Sequence, residues 1–262
     1  MNVDIHPTAI VAPGAQIAQG VSIGPFCIIS GGAKIGTGCK LISNVIIDGN
    51  TEIGENCVIH PFAGIGLPPQ DLKYDDRDTG VRIGNENIIR EYTSIHRASI
   101  NGDGFTTVGD QNFIMAYVHI AHDCKVANHT TMANAATLAG HVEVADHAVI
   151  GGVTAIHQFT RIGAYAMVGG FSGVGQDVPP FTVVSGPRAK LYGLNLIGLK
   201  RHGFSNEKLQ ILKKAYKILF MEKLTMNEAL IKLAQDLPAT DEIKILTDFI
   251  NSDRKRGILR KT

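Results

Sequence analysis

An aliphatic residue falls on every sixth position of the chain from Ile5 to Ile65. The spacing resumes from Ile83 to Ile95 and again from Val108 to Val174, giving runs of 11, 3 and 12 repeats. A period of six is neither the 3.6 of a helix nor the 2 of an amphipathic strand. It is the mark of the hexapeptide β-helix. Four residues after each aliphatic position most repeats carry a small residue, as at Ala15, Ala33, Val45, Ala63, Ala136 and Ala148. Residues two apart on a strand share a face, so the small residue and the next aliphatic residue both point inward. Two inward residues and a turn make one flat side, and three such sides close one triangular coil. At roughly 4.8 Å between neighbouring strands, about nine coils make a prism ~40 Å long.

The fold class expected is therefore an all-β solenoid. Folds built on this repeat wind as left-handed parallel β-helices, against the usual right-handed crossover. The β-helix is expected over residues 1–185, with insertions at 66–82 and 97–107 that emerge as surface loops. Beyond Pro179-Pro180 the sixfold pattern fades, and residues 186–262 read as a C-terminal helical domain. Ser205 suits an N-cap, and Leu209, Leu212, Tyr216, Leu219 and Phe220 form a helical stripe. Thr225 to Glu228 reads as a capping box, and a further helix is expected from Asp241 to Ile250. These helices would close one end of the prism, which otherwise exposes a sheet edge.

Cys27, Cys39, Cys57 and Cys124 all fall in the small inward slot, so they read as buried apolar side chains rather than a disulfide framework or a zinc site. A nucleophile at Cys124, beside His122, is the sharper alternative, and the inward direction opposes it. The first repeat begins at Ile5, which leaves no room for a signal peptide, and no apolar run approaches a membrane span. A cytoplasmic protein is expected. Residues 200–262 hold 14 Lys and Arg against 8 Asp and Glu, a net +6 in a chain of net +1. Such a basic segment suits an acidic partner. It lacks the interleaved aromatics of a nucleic-acid surface.

The histidines carry the chemistry. His141 stands three hexapeptides, one full coil, beyond Asp123, and Gly140 stands one coil beyond His122. These four should cluster on two stacked corners. A histidine beside a carboxylate suits general-base work, and a glycine N–H beside it can steady an oxyanion. His96, His119 and His157 are expected on outward strand positions. A zinc site is the rival reading, because some hexapeptide proteins bind zinc through three histidines and act as carbonic anhydrases. Their pattern spaces two ligands five residues apart, and Tyr117 occupies that position before His122.

Four segments, His119 to Cys124, Gln70 to Tyr74, Ile156 to Phe159 and Gly198 to Phe204, carry a resemblance along the whole chain. It resembles the acyl-carrier-protein-dependent UDP-N-acetylglucosamine O-acyltransferases, which open lipid A synthesis. The resemblance implies that His122 takes the proton from the glucosamine 3-hydroxyl, supported by Asp123. The hydroxyl then attacks the thioester of a 3-hydroxyacyl chain on acyl carrier protein, with the Gly140 amide at the oxyanion. It implies that Asp71, Lys73, His119, His141, His157 and Gln158 contact sugar and acyl groups, and that Asn195 and Arg201 contact the nucleotide and phosphate. Gly170 stands where the family sets acyl length, with no side chain to block a groove. His202 replaces the second arginine of the family's Lys-Arg-Arg-Gly-Phe motif. The resemblance implies a homotrimer with its active site between subunits, and no cofactor or metal. Rival readings are a hexapeptide acyltransferase with another acceptor, such as a 3-amino sugar, and a structural or binding solenoid.

Overall fold

A computed structural model describes residues 2–75, 78–99, 102–252 and 255–260. The chain winds as a left-handed β-helix whose strands form three sheets of 11, 9 and 8 strands. We number them in the order the chain first enters them, at Asp4–Ile5, Ile10–Val11 and Gln16–Ile17. Up to strand Gly173–Val174, each strand after the first three pairs in parallel with the third strand before it, which is the pairing of a three-sided coil. Phe113, Thr131, Val149 and Met167 stand in one column, each one regular coil beyond the last.

That interval changes twice. Val58 pairs with Ile88, across the first insertion, and Ser94 pairs with His119, across the second. Both partners lie farther apart in sequence than the regular Val149 and Met167, and the inserted residues make up the difference. The first insertion runs from strand Gly64–Leu67 to strand Gly80–Ile83, the second from Ser94–His96 to Phe105–Val108. Both leave the second sheet and re-enter on the third. They therefore emerge at the same corner of the prism.

Inside, the aliphatic column Ile23, Leu41, Ile59, Ile89, Ile114, Met132 and Ile150 is at most 1% exposed. All four cysteines are buried and free. Cys39 and Cys57 do sit in adjacent coils, with Cys57 N–H donating to Cys39 Sγ at 3.4 Å. Burial pushes the Cys124 thiol up to about 12, so it is no thiolate nucleophile.

The corners carry a third periodicity, one that the inward slots do not reveal. The residue three after the aliphatic position adopts left-handed backbone, with φ of 61° at Asp123, 60° at His141 and 63° at Phe159. This conformation costs a non-glycine residue about 1–2 kcal/mol. Corner-to-corner hydrogen bonds offset it, such as His141 N–H to His122 O at 3.0 Å. So does stacking: Phe62, Tyr92 and Tyr117 form one ladder with 4.9 Å between ring centres, and His129, His147 and Tyr165 form another at 4.7 and 4.6 Å.

The outer faces differ. The third sheet carries a charged column in which Glu52 pairs with Lys34 at 2.8 Å and Arg82 at 3.3 Å. The second sheet leaves Ile10, Ile28 and Ile46 exposed in one column.

At the C-terminal end, strand Lys190–Leu194 lies antiparallel on Thr182–Ser185 and covers the last edge of the first sheet. Four helices follow: α1 (Leu196–Arg201), α2 (Asn206–Phe220), α3 (Met226–Asp236) and α4 (Asp241–Asn251). Ser205 caps α2, and Thr225 with Glu228 forms the capping box of α3. The predicted stripe of α2 is buried. The short α1 adds to the expected helices; its N-cap is Asn195. No described helix is long and apolar enough to cross a membrane.

Candidate active site

The corner between the second and third sheets gathers the expected cluster. His122 Nδ1 lies 2.7 Å from Asp123 Oδ2, and the same oxygen is 3.5 Å from His141 Nε2. The His122 and His141 rings meet edge to face at 5.4 Å. An ionised carboxylate only accepts, so in the neutral ring His122 Nδ1 carries the proton of this bond and Nε2 is left with its lone pair. Burial pushes the Asp123 carboxyl up, but the hydrogen bonds from His122 and Ser99 outweigh it and hold the group below its ordinary value. Asp123 is 5% exposed.

Residues outside the motifs build this corner. The Ser99 N–H donates to Asp123 Oδ2 at 3.1 Å, and Thr106 Oγ1 accepts from Asp123 N–H at 2.8 Å. Gly102 presses so close to Asp123 that any side chain there would overlap the carboxylate. The second insertion thus acts as a cover over the acid. Nothing in the local spacing of Ser99, Gly102 or Thr106 announces this, because the insertion has no period. Gly140 lies against the His122 ring. A Cβ there would stand 2.5 Å from Cε1, and the Gly140 N–H donates to no backbone acceptor among the described residues.

His119 stands on the outer face of the second sheet, its Nδ1 2.8 Å from Ser94 Oγ. Burial, with the nearby His122, holds it below the ordinary imidazole value. Two coils on, the His119 column reaches Ala155, and the exposed His157 stands two residues beyond it, just past Ile156. Gly170 lies at the corner between the first and second sheets, with Phe171 exposed beside it. The expectation of an outward His96 is corrected. The strand runs on past Ile95 and sets His96 opposite Leu67; the ring is 6% exposed and meets His119 edge to face at 5.0 Å.

Burial drives His96 down to about 4, from about 6.5 in an unfolded chain. Between those values the unfolded chain binds a proton that the native state refuses. Stability therefore falls as pH falls through that window, by roughly 2–3 kcal/mol from this group at pH 4.5. Chemical denaturation at pH 7 and 4.5 should show a shallower loss for His96→Gln than for the parent; equal losses would refute it.

Asp71 and Lys73 lie on the exposed first insertion, where Lys73 N–H donates to Asp71 Oδ1 at 3.0 Å. Asn195 spends its amide within the chain: Oδ1 accepts from Gly198 N–H at 3.1 Å, and Nδ2 donates to Tyr165 O at 3.0 Å. Arg201 is exposed at the end of α1, and His202 packs edge-on to His147 and Tyr165 at 4.9 and 5.3 Å. Those aromatic partners belong to the corner between the third and first sheets, opposite the face of the second. The structure thus joins His122, Asp123, Gly140 and His141 within one chain. It sets Asn195, Arg201 and His202 across the prism from His119 and His157.

Among the described residues, His122, Asp123 and His141 alone bring three candidate donor atoms within 4.8 Å. Two ligands about 2.0–2.1 Å from a tetrahedral ion lie about 3.3 Å apart. The 2.7 Å between His122 and Asp123 is instead a hydrogen-bond distance, that of an imidazole oriented by a carboxylate.

Two family models match: the UDP N-acetylglucosamine O-acyltransferase domain 2 over residues 177–259 and the bacterial transferase hexapeptide over residues 32–67. A protein of Thermodesulfovibrio yellowstonii named acyl-[acyl-carrier-protein]–UDP-N-acetylglucosamine O-acyltransferase is 65% identical over 98% of this chain and 99% of its own. The chain belongs to this acyltransferase family. A relative of the same name from Trichlorobacter lovleyi is 56% identical over 98% of this chain and 99% of its own. The solved structure of LpxA from Acinetobacter baumannii superposes with a TM-score of 0.95 at 42% identity, covering 98% of this chain and 99% of that one. The family's fold thus agrees with the left-handed β-helix and helical tail read from the repeat.

Proposed function

We propose that the chain transfers a 3-hydroxyacyl group from acyl carrier protein to the glucosamine 3-hydroxyl of UDP-N-acetylglucosamine, the first step of lipid A biosynthesis. The observation that carries this reading is the His122–Asp123 pair at 2.7 Å with Gly140 against the imidazole, in a chain of this family. His122 Nε2 takes the hydroxyl proton as the oxygen attacks the thioester carbonyl carbon. The tetrahedral oxyanion meets the Gly140 N–H. The C–S bond then breaks, and the imidazolium returns its proton to the leaving thiolate. Asp123 holds the tautomer and balances the imidazolium charge. No acyl-enzyme is formed, in keeping with the fully buried Cys124.

The working unit in this reading is a homotrimer. One chain cannot bring Asn195, Arg201 and His202 round to the face of His119 and His157, so a neighbouring subunit supplies them. The exposed Ile10, Ile28 and Ile46 column, the ladder of Phe62, Tyr92 and Tyr117, and the fully exposed Leu72 are apolar surface for that contact. The charged third sheet faces water. The basic helices suit an acidic carrier protein, and four free thiols suit the reducing cytoplasm.

The direct test is mass spectrometry of UDP-N-acetylglucosamine incubated with the protein and a panel of acyl and 3-hydroxyacyl carrier proteins. A UDP-sugar bearing one acyl chain is expected, and Gly170 favours a long one. No product with any donor overturns the reading, and the 3-amino sugar becomes the acceptor to try. Sedimentation should give three chain masses; a fully active monomer would exclude the shared site.

A further inference from the structure

Residues 255–260 return from the helical domain to the corner that holds the site. Asp177 and Ile258 form a parallel bridge, and Leu259 N–H donates to Asp177 O at 2.9 Å. Ile258 and Leu259 are buried, so the segment is fixed by its own apolar residues. Two cations on it face the stacked corner. Lys255 Nζ stands 4.1 Å over the Phe159 ring. Arg256 Nη2 lies 2.9 Å from His157 Nδ1, and Arg256 Nε donates to Gln158 O at 3.0 Å.

A guanidinium only donates, and it stays charged at any working pH. His157 Nδ1 must therefore accept, and the proton of the neutral ring sits on Nε2. The Gln158 carbonyl is 3.2 Å from the same Nδ1, but its hydrogen comes from Arg256 Nε. Without the guanidinium, that carbonyl would draw the proton to Nδ1 and strip Nε2 of its donor.

We propose that Arg256 is a positioning residue for the acyl transfer: it fixes His157 as the Nε2–H tautomer, so that the ring presents a donor to a substrate oxygen. The inference rests on the reading of His157 as a substrate contact. It gives the C-terminal return a part in recognition, acting from far along the sequence. Arg256 has no contact with His122 and leaves the chemical step alone.

The test compares the parent, Arg256→Leu, Arg256→Lys, His157→Ala and the double variant of Arg256→Leu with His157→Ala. Leucine removes the donors while Ile258 and Leu259 keep the segment docked. In ¹⁵N-histidine-labelled protein, the His157 signals should show Nε2–H in the parent and a shift toward Nδ1–H in Arg256→Leu. The KM for one substrate should rise about tenfold, the scale of one hydrogen bond, with kcat within about twofold. Arg256→Lys keeps a charged donor and should recover most of the loss. In the His157→Ala background, Arg256→Leu should add nothing. An unchanged tautomer, or an equal KM rise with and without His157, overturns the role of Arg256. If His157→Ala itself leaves every KM unchanged, the reading of His157 falls instead.

Discussion

Replacing His122 by alanine is expected to lower kcat by about 10²–10⁴-fold, the usual contribution of a positioned general base. Among the described residues of the corner, the substitution removes the one imidazole that is hydrogen-bonded to a carboxylate through one nitrogen and has the other free to take the acceptor proton. His141 is not a substitute, because its Nε2 stands 3.5 Å from Asp123 Oδ2, beyond the hydrogen bond that fixes the tautomer of His122. The side chain of His122 is 21% exposed and lies outside the aliphatic columns, so the coil should keep its melting temperature. Steady-state rates beside a thermal melt decide the matter. A folded His122→Ala protein with near-parental kcat would remove His122 from the mechanism.

Gly140→Ala is the second large effect, expected at about 10²-fold in kcat. The added methyl would stand 2.5 Å from His122 Cε1 and 2.7 Å from Nε2, well inside van der Waals contact. The imidazole must swing aside by roughly an ångström, a displacement that costs about 10²-fold where near-attack geometry matters. Gly140 does not occupy left-handed backbone, so alanine is tolerated by the coil itself and the stability cost should be small. The loss should appear in kcat with the melt unchanged. A normal kcat would mean that the ring has room to yield without leaving its working position.

The period of six carries most of this from sequence. Because the aliphatic positions fix the strand register, counting three repeats onward is enough to stack Gly140 and His141 on His122 and Asp123. The count fails wherever a contact does not follow the coil. Counting from Ile95 places His96 outward, but the irregular pairing with Leu67 and the insertions beside it bury the ring. The resemblance marks Asn195 as a nucleotide contact, but not that its amide caps the short α1, which contains a glycine and leaves no periodic trace. Arg256 meets His157 only through tertiary packing of the tail. The aromatic ladders, by contrast, are legible: Phe62, Tyr92 and Tyr117 all stand three residues after an aliphatic position, a column that an eye fixed on inward slots passes over.

The left-handed corners make the site a set of lattice points. Asp123 and His141 are the same corner position in successive coils, so their separation is set by the strand spacing of the backbone, not by any adjustable loop. A side chain can be exchanged at such a point, but the point cannot drift by a fraction of an ångström while the columns of isoleucine remain in register. Selectivity along the prism axis is then graded in whole coils. Moving a blocking or binding group up or down the groove means moving it by one rung, and this scaffold changes its preferences in discrete increments.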